Sequence, residues 1–135
     1  MKPHIALITI MSDYVPGMVK FYRDVLGFQV KNDLGEYVEL VNEGVRFAIC
    51  DREIMLKATG HEDYLRSANG QSFELAFPCD NPAEVDREYE RLLKNGARPV
   101  KAPASMPWGQ RTAFFEDPDG YIHEIFSDLP AMGEE

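Results

Sequence analysis

Cysteine is scarce in this chain of 135 residues: Cys50 and Cys79 are the only two, and they form no C-x-x-C pair. That excludes a disulfide-stapled scaffold and a thiolate metal ribbon, and both thiols read as small buried hydrophobes kept apart in a reducing compartment. Positive charge is also short, with 14 Lys+Arg against 23 Asp+Glu and a net charge of -9. Such a balance repels phosphate backbones and anionic lipid, so neither nucleic acid nor membrane is expected as a partner. No apolar run approaches the roughly 18 residues of a membrane span, and the opening MKPHIALITIMSDY lacks a signal architecture, so the expected location is cytoplasmic. Tryptophan occurs once, at Trp108.

What is present suits one ordinary domain. Hydrophobic residues make up 44% and charged ones 27%, enough for a normal core and against disorder. Ile5 to Ile10 is a β-branched run, apolar on both faces, and reads as a strand covered on each side. Ser12 and Asp13 offer capping oxygens and Pro16 suits a first helical turn. Val15, Met18, Val19, Tyr22, Val25 and Leu26 then repeat at helical spacing until Gly27. Phe28 to Lys31, Tyr37 to Val41 and Val45 to Cys50 read as three strands, parted by Asn32-Asp33 and Asn42-Glu43-Gly44.

The second half repeats this β-α-β-β-β order. Ser72 to Cys79 is strand-like, Asn81-Pro82-Ala83-Glu84 reads as a capping box, and Val85, Tyr89, Leu92 and Leu93 follow at helical spacing before Gly96. Pro99 to Lys101, Arg111 to Glu116 and Tyr121 to Phe126 complete the set. The fold class is therefore α+β, with module one at about 4–50, a link at 51–70, module two at about 71–127 and a tail at 128–135. Within the link, Arg52 to Lys57 suits a short helix and Gly60 to Asn69 a loop; its apolar Ile54, Met55 and Leu56 fit a lid or a docking surface.

Two motifs carry a family resemblance. Phe21-Tyr22-Arg23-Asp24-Val25-Leu26-Gly27-Phe28 and the closing Glu116-Asp117-Pro118-Asp119-Gly120-Tyr121-Ile122-His123-Glu124-Ile125 strongly resemble the vicinal oxygen chelate superfamily, the group of glyoxalase I, bleomycin resistance proteins, fosfomycin-inactivating thiol transferases and extradiol dioxygenases. The likeness spans roughly residues 4 to 127. It implies two βαβββ modules whose sheets curl into one cup-shaped site with helices on the outer face, a homodimer, and a divalent metal held by residues from the first and last strands of each module. The resemblance places the four ligand positions on Ala6, Ala48, Glu74 and Glu124. Alanine supplies no donor, and two carboxylates fall short of the three or four donors that Zn, Ni, Mn or Fe requires. No metal or other cofactor is therefore expected. A set of His4, Glu74 and Glu124 is the alternative, since His4 lies two residues before Ala6.

Other residues are weighed beside this frame. His123, adjacent to Glu124, belongs to the opposite, helix-covered face as a core histidine, and His61 to the solvated link. Glu74 and Glu124 remain as ligand-binding carboxylates and candidates for catalytic acid and base, with Arg46 nominated either as their structural ion-pair partner or as a ligand contact. Ile8, Ile10, Ala76 and Pro78 are read as the rest of the inward face. The Pro107-Trp108-Gly109 stretch resembles a loop that lies beside the pocket in relatives. Trp108 there offers a stacking surface, or a plug at a dimer or module junction, and Arg111 offers a contact for an anionic or planar group. Asp117-Pro118-Asp119-Gly120 is a turn.

The leading expectation is a metal-free protein that binds a small organic molecule, of cationic or polyamine-bearing type, with drug sequestration as one version. The alternative is a divalent-metal-dependent lyase, isomerase or dioxygenase of the same superfamily.

Overall fold

The computed structural model describes residues 1–66 and 70–130. Eight strands and three α-helices follow in the order β1 (Leu7–Ser12), α1 (Val15–Asp24), β2 (Val30–Asp33), β3 (Tyr37–Leu40), β4 (Arg46–Asp51), α2 (Arg52–Thr59), β5 (Ala76–Pro78), α3 (Pro82–Lys94), β6 (Arg98–Met106), β7 (Gln110–Glu116) and β8 (Ile122–Asp128), with a 3-10 turn at Glu62–Leu65 after α2. The chain divides into two compact units, Met1–Asn69 and Gly70–Glu135. The link lies in the first of them except for Gly70, which opens the second, and its residues 67–69, like 131–135 of the tail, fall outside the described residues.

The first unit holds a sheet of order β1-β4-β3-β2, with β1 parallel to β4 and the other pairs antiparallel. Its core lies under α1, where Tyr22 (0% exposed) packs against Phe28 and Phe47 with ring centroids 6.0 and 5.7 Å apart. Burial of a large side chain of this kind contributes about 2–3 kcal/mol. Strand β1 begins at Leu7 rather than Ile5, and Ile5 is exposed, so the apolar run is not covered on both faces along its length. Pairing of Ile8 with Phe47 and of Ile10 with Ile49 puts both isoleucines on the α1 face, and Leu7, Thr9 and Met11 on the other face with Ala48. The expected inward position of Ile8 and Ile10 is thereby corrected: two apolar faces conceal the parity of a strand. Asn32 and Asp33 are the end of β2, not a turn; the reversal follows at Gly35 (φ 84), whose N–H donates to Asp33 Oδ1 at 2.8 Å.

The second unit holds a sheet of order β5-β8-β7-β6, with β5 parallel to β8. Helix α3 starts as its sequence directs: Asn81 Oδ1 accepts from Glu84 N–H at 2.9 Å and Pro82 opens the first turn, a cap of about 1 kcal/mol. The reciprocal bond of the box is shifted by one residue, since Glu84 Oε2 accepts from Asp80 N–H at 2.6 Å. Val85, Tyr89 and Leu92 are buried beneath the helix. Strand β5 is confined to Ala76–Pro78, shorter than the Ser72 to Cys79 run, and β6 is longer than the Pro99 to Lys101 run, reaching from Arg98 to Met106. Two register shifts let that proline-bearing strand stay paired with β7. Among the described residues no helix is long and apolar enough to cross a membrane.

Candidate functional site

In the second unit the sheet register sorts the candidates by face. Glu124 pairs with Ala76 on one side and Phe114 on the other, and Phe126 pairs with Pro78 and Thr112. These residues alternate with His123, Ile125, Phe115 and Ala113, whose face carries α3 and the core. Ala76 and Pro78 thus share the face of Glu124, as the sequence indicates.

Glu124 is half-buried. Its backbone N–H donates to the Leu75 carbonyl at 2.9 Å, which fixes Glu74 just before β5 and next to Glu124. Burial raises the Glu124 carboxyl above its ordinary value, and the charge and hydrogen bonding of Glu74 raise it further. Glu74, two residues before the Ala76 that pairs with Glu124, is thus brought beside it by the chain, and no cation among the described residues bears on Glu124. Beside them Phe114, Ile122 and Phe126 are half-buried and apolar, and Thr112 is fully buried with no hydrogen-bond partner for Oγ1. Thr112 escapes a reading of the sequence because a lone threonine in a strand is ordinary; only its parity with Phe114 and Glu124 was available as a signal.

Beneath this face, His123 is fully buried as a hydrogen-bonded core histidine. Its Nδ1 accepts from Leu75 N–H at 3.1 Å, which leaves the proton on Nε2 to donate to Asp117 Oδ2 at 3.0 Å. Asp117 Oδ1 accepts from the N–H groups of Asp119 and Tyr121, both at 3.0 Å, so the turn aspartate also reaches into the core. Arg111 lies on the same side of the sheet as Ser127 and His123, where its Nε donates to Asp86 Oδ1 of α3 at 2.8 Å. Arg111 is therefore on the face opposite Glu124, a placement that odd-numbered parity in β7 dictates.

Trp108 sits at the tip of the β6–β7 hairpin, 63% exposed, with Nε1 donating to Gln110 Oε1 at 3.0 Å. Gly109 takes φ 86 and donates its N–H to the Met106 carbonyl at 3.0 Å, the left-handed step that closes a three-residue loop.

In the first unit, Arg46 Nε and Nη2 grip Glu39 at 3.0 and 2.7 Å, and Lys31 Nζ stands 3.6 Å from the same carboxylate. Arg46 thus has Glu39 as its acidic partner, a residue that the sequence gave no reason to single out. The Arg46 hydrogen bonds hold the Glu39 carboxyl below the usual range although the residue is only 5% exposed. His4 is exposed and precedes β1, with Nδ1 3.3 Å from the Lys2 carbonyl. His61 is exposed and accepts from Asp63 N–H at 3.3 Å.

These residues do not fit a metal. The face of Ala48 carries Leu7, Thr9 and Met11, and Ala6 belongs to the opposite parity, so neither position supplies an imidazole, thiolate or carboxylate. Among the described residues no group of three or more His, Cys, Asp or Glu side chains could hold an ion. The thiols offer no substitute: burial raises Cys50, and burial with nearby acidic groups pushes Cys79 up to about 11, so both stay protonated at neutral pH.

Comparison with known proteins places this geometry among relatives. Residues 4–125 match the family described as Glyoxalase/Bleomycin resistance protein/Dioxygenase superfamily. The uncharacterized protein YraH of Bacillus subtilis (strain 168) is 31% identical over 116 residues, covering 82% of this chain and 88% of its own. A glyoxalase/bleomycin resistance protein/dioxygenase from Nocardioides superposes with a TM-score of 0.85 at 26% identity, covering 98% of this chain and 87% of that one. A lactoylglutathione lyase from Agrobacterium tumefaciens gives 0.72 at 25% identity, with 98% of both chains covered.

Proposed function

From the premise that the chain belongs to the glyoxalase/bleomycin resistance protein/dioxygenase superfamily, we propose that it binds a small organic cation, without a metal, on the Glu124 face of its second sheet. The observation that carries this reading is the Glu74 and Glu124 pair: two carboxylates brought side by side where β5 meets β8, one of them half-buried among phenylalanines, with no cation among the described residues bearing on Glu124. Bringing like charges together is unfavourable, and an ammonium group of a ligand offsets it while the apolar neighbours receive its hydrocarbon body. Drug sequestration is one form such binding takes, and a homodimer is the assembly that the family likeness suggests.

A second reading, a metal-dependent lyase, draws on the likeness to the lactoylglutathione lyase. One experiment separates the two. Protein purified without chelator is assayed for bound metal, and its melting is followed on adding Zn, Ni, Mn or Fe and then phenethylamine. The binding reading expects substoichiometric metal, no stabilisation by any ion, and stabilisation by the amine that Glu124→Gln abolishes. Near-stoichiometric metal that is lost in Glu124→Gln would overturn it and leave the lyase.

A further inference from the structure

Glu124, Phe114, Thr112 and Phe126 form a two-by-two block on one sheet face: Glu124 pairs with Phe114, Thr112 pairs with Phe126, and the two polar residues occupy one diagonal while the two aromatics occupy the other. Resting on the reading above, we propose that Thr112 is the second polar anchor of the ligand site, so that the favoured ligand is an amine carrying a hydrogen-bonding group across an apolar body from its nitrogen.

Thr112 is 0% exposed, yet its Oγ1 has no hydrogen-bond partner, whereas the other buried polar side chains of this unit, Asp117, His123 and Ser127, all have one. A buried hydroxyl left unpaired is unfavourable, and valine would fill the same space without that penalty. The hydroxyl is thus suited to a partner that arrives on the Glu124 face. Diagonal positions in an antiparallel pair lie about 7–8 Å apart, which sets the spacing between the ammonium group at Glu124 and the ligand group at Thr112. Phe114 and Phe126 flank the line between them, so a planar or hydrocarbon body suits the gap. Tyramine has this form; phenethylamine is the same molecule without the hydroxyl.

The test compares both probes by calorimetry on wild type, Thr112→Val, Thr112→Ser and Glu124→Gln. Wild type is expected to prefer tyramine by about fivefold, the effect of one added hydrogen bond. Thr112→Val should erase that preference, Thr112→Ser should keep it, and Glu124→Gln should weaken both probes. Free Thr112→Val should also melt no lower than wild type, because an unpaired hydroxyl is being removed. A preference that survives Thr112→Val, or a melting temperature that drops markedly with Thr112→Val alone, overturns the role of Thr112 while leaving amine binding intact. If neither probe binds wild type, the cation-binding reading itself falls, and this inference with it.

Discussion

His123 donates from Nε2 to Asp117 Oδ2 across 3.0 Å with both side chains wholly shielded from solvent, and the same ring accepts the Leu75 N–H on its other nitrogen. One imidazole therefore ties the β7–β8 turn to the entry of β5. Replacing it with His123→Leu removes the Nε2 donor from a buried carboxylate and leaves the Leu75 N–H without its ring acceptor. The expected loss is about 3 kcal/mol, read from the urea midpoint at unchanged slope. A loss below about 1 kcal/mol would show that packing against Phe77, Phe115 and Tyr121 is all the ring supplies.

Glu39 gives the first unit an acid sensitivity of definite sign. Its folded value is depressed by the Arg46 hydrogen bonds, so the stabilisation is present above the unfolded value, whose ordinary level is 4.5, and is lost as pH falls through the depressed folded one. Thermal melting followed from about pH 6 to about pH 3 should show that decline in wild type. Glu39→Gln should melt lower at neutral pH and show a flatter acid limb; parallel curves would mean the ion pair is energetically silent.

Glu124 acts in the opposite sense. Burial and Glu74 raise its folded value above 4.5, so the folded state holds its proton longer than the unfolded chain does. Its stabilising contribution is complete below the unfolded value and disappears as pH rises through the raised folded one. Glu124→Gln should therefore equal or exceed wild type in melting temperature at neutral pH, with the gap closing towards about pH 4. Carboxyl carbon NMR should in addition show the Glu124 midpoint falling part of the way in Glu74→Gln, the remainder being due to burial. A midpoint that does not move would mean the two carboxylates are not coupled.

The helices and the order of elements were legible because their signals are local. Asn81, Pro82 and Glu84 announce α3, and the periodicity from Val15 to Tyr22 announces α1. His123 was placed correctly by parity alone, since its neighbour Glu124 has to face the other way. Parity failed where the pattern was uniform: Ile8 and Ile10 look alike on either face, and only pairing with Phe47 and Ile49 assigns them to α1. Arg111 was read by its chemistry rather than by its position, although its odd number groups it with Ala113 and Phe115 beneath α3. Glu39, the partner of Arg46, lies on a neighbouring strand, and a pairing of that kind depends on sheet register that no short stretch of sequence encodes.

The outer strand β6 has a further consequence. It is the long border of its sheet, nine residues from Arg98 to Met106, and Pro99 and Pro103 interrupt its row of donors while two register shifts bend it. A border so broken is a poor template for an incoming strand from another molecule. Replacing the two prolines would add amide donors to that border and is expected to favour strand-to-strand association in concentrated solution.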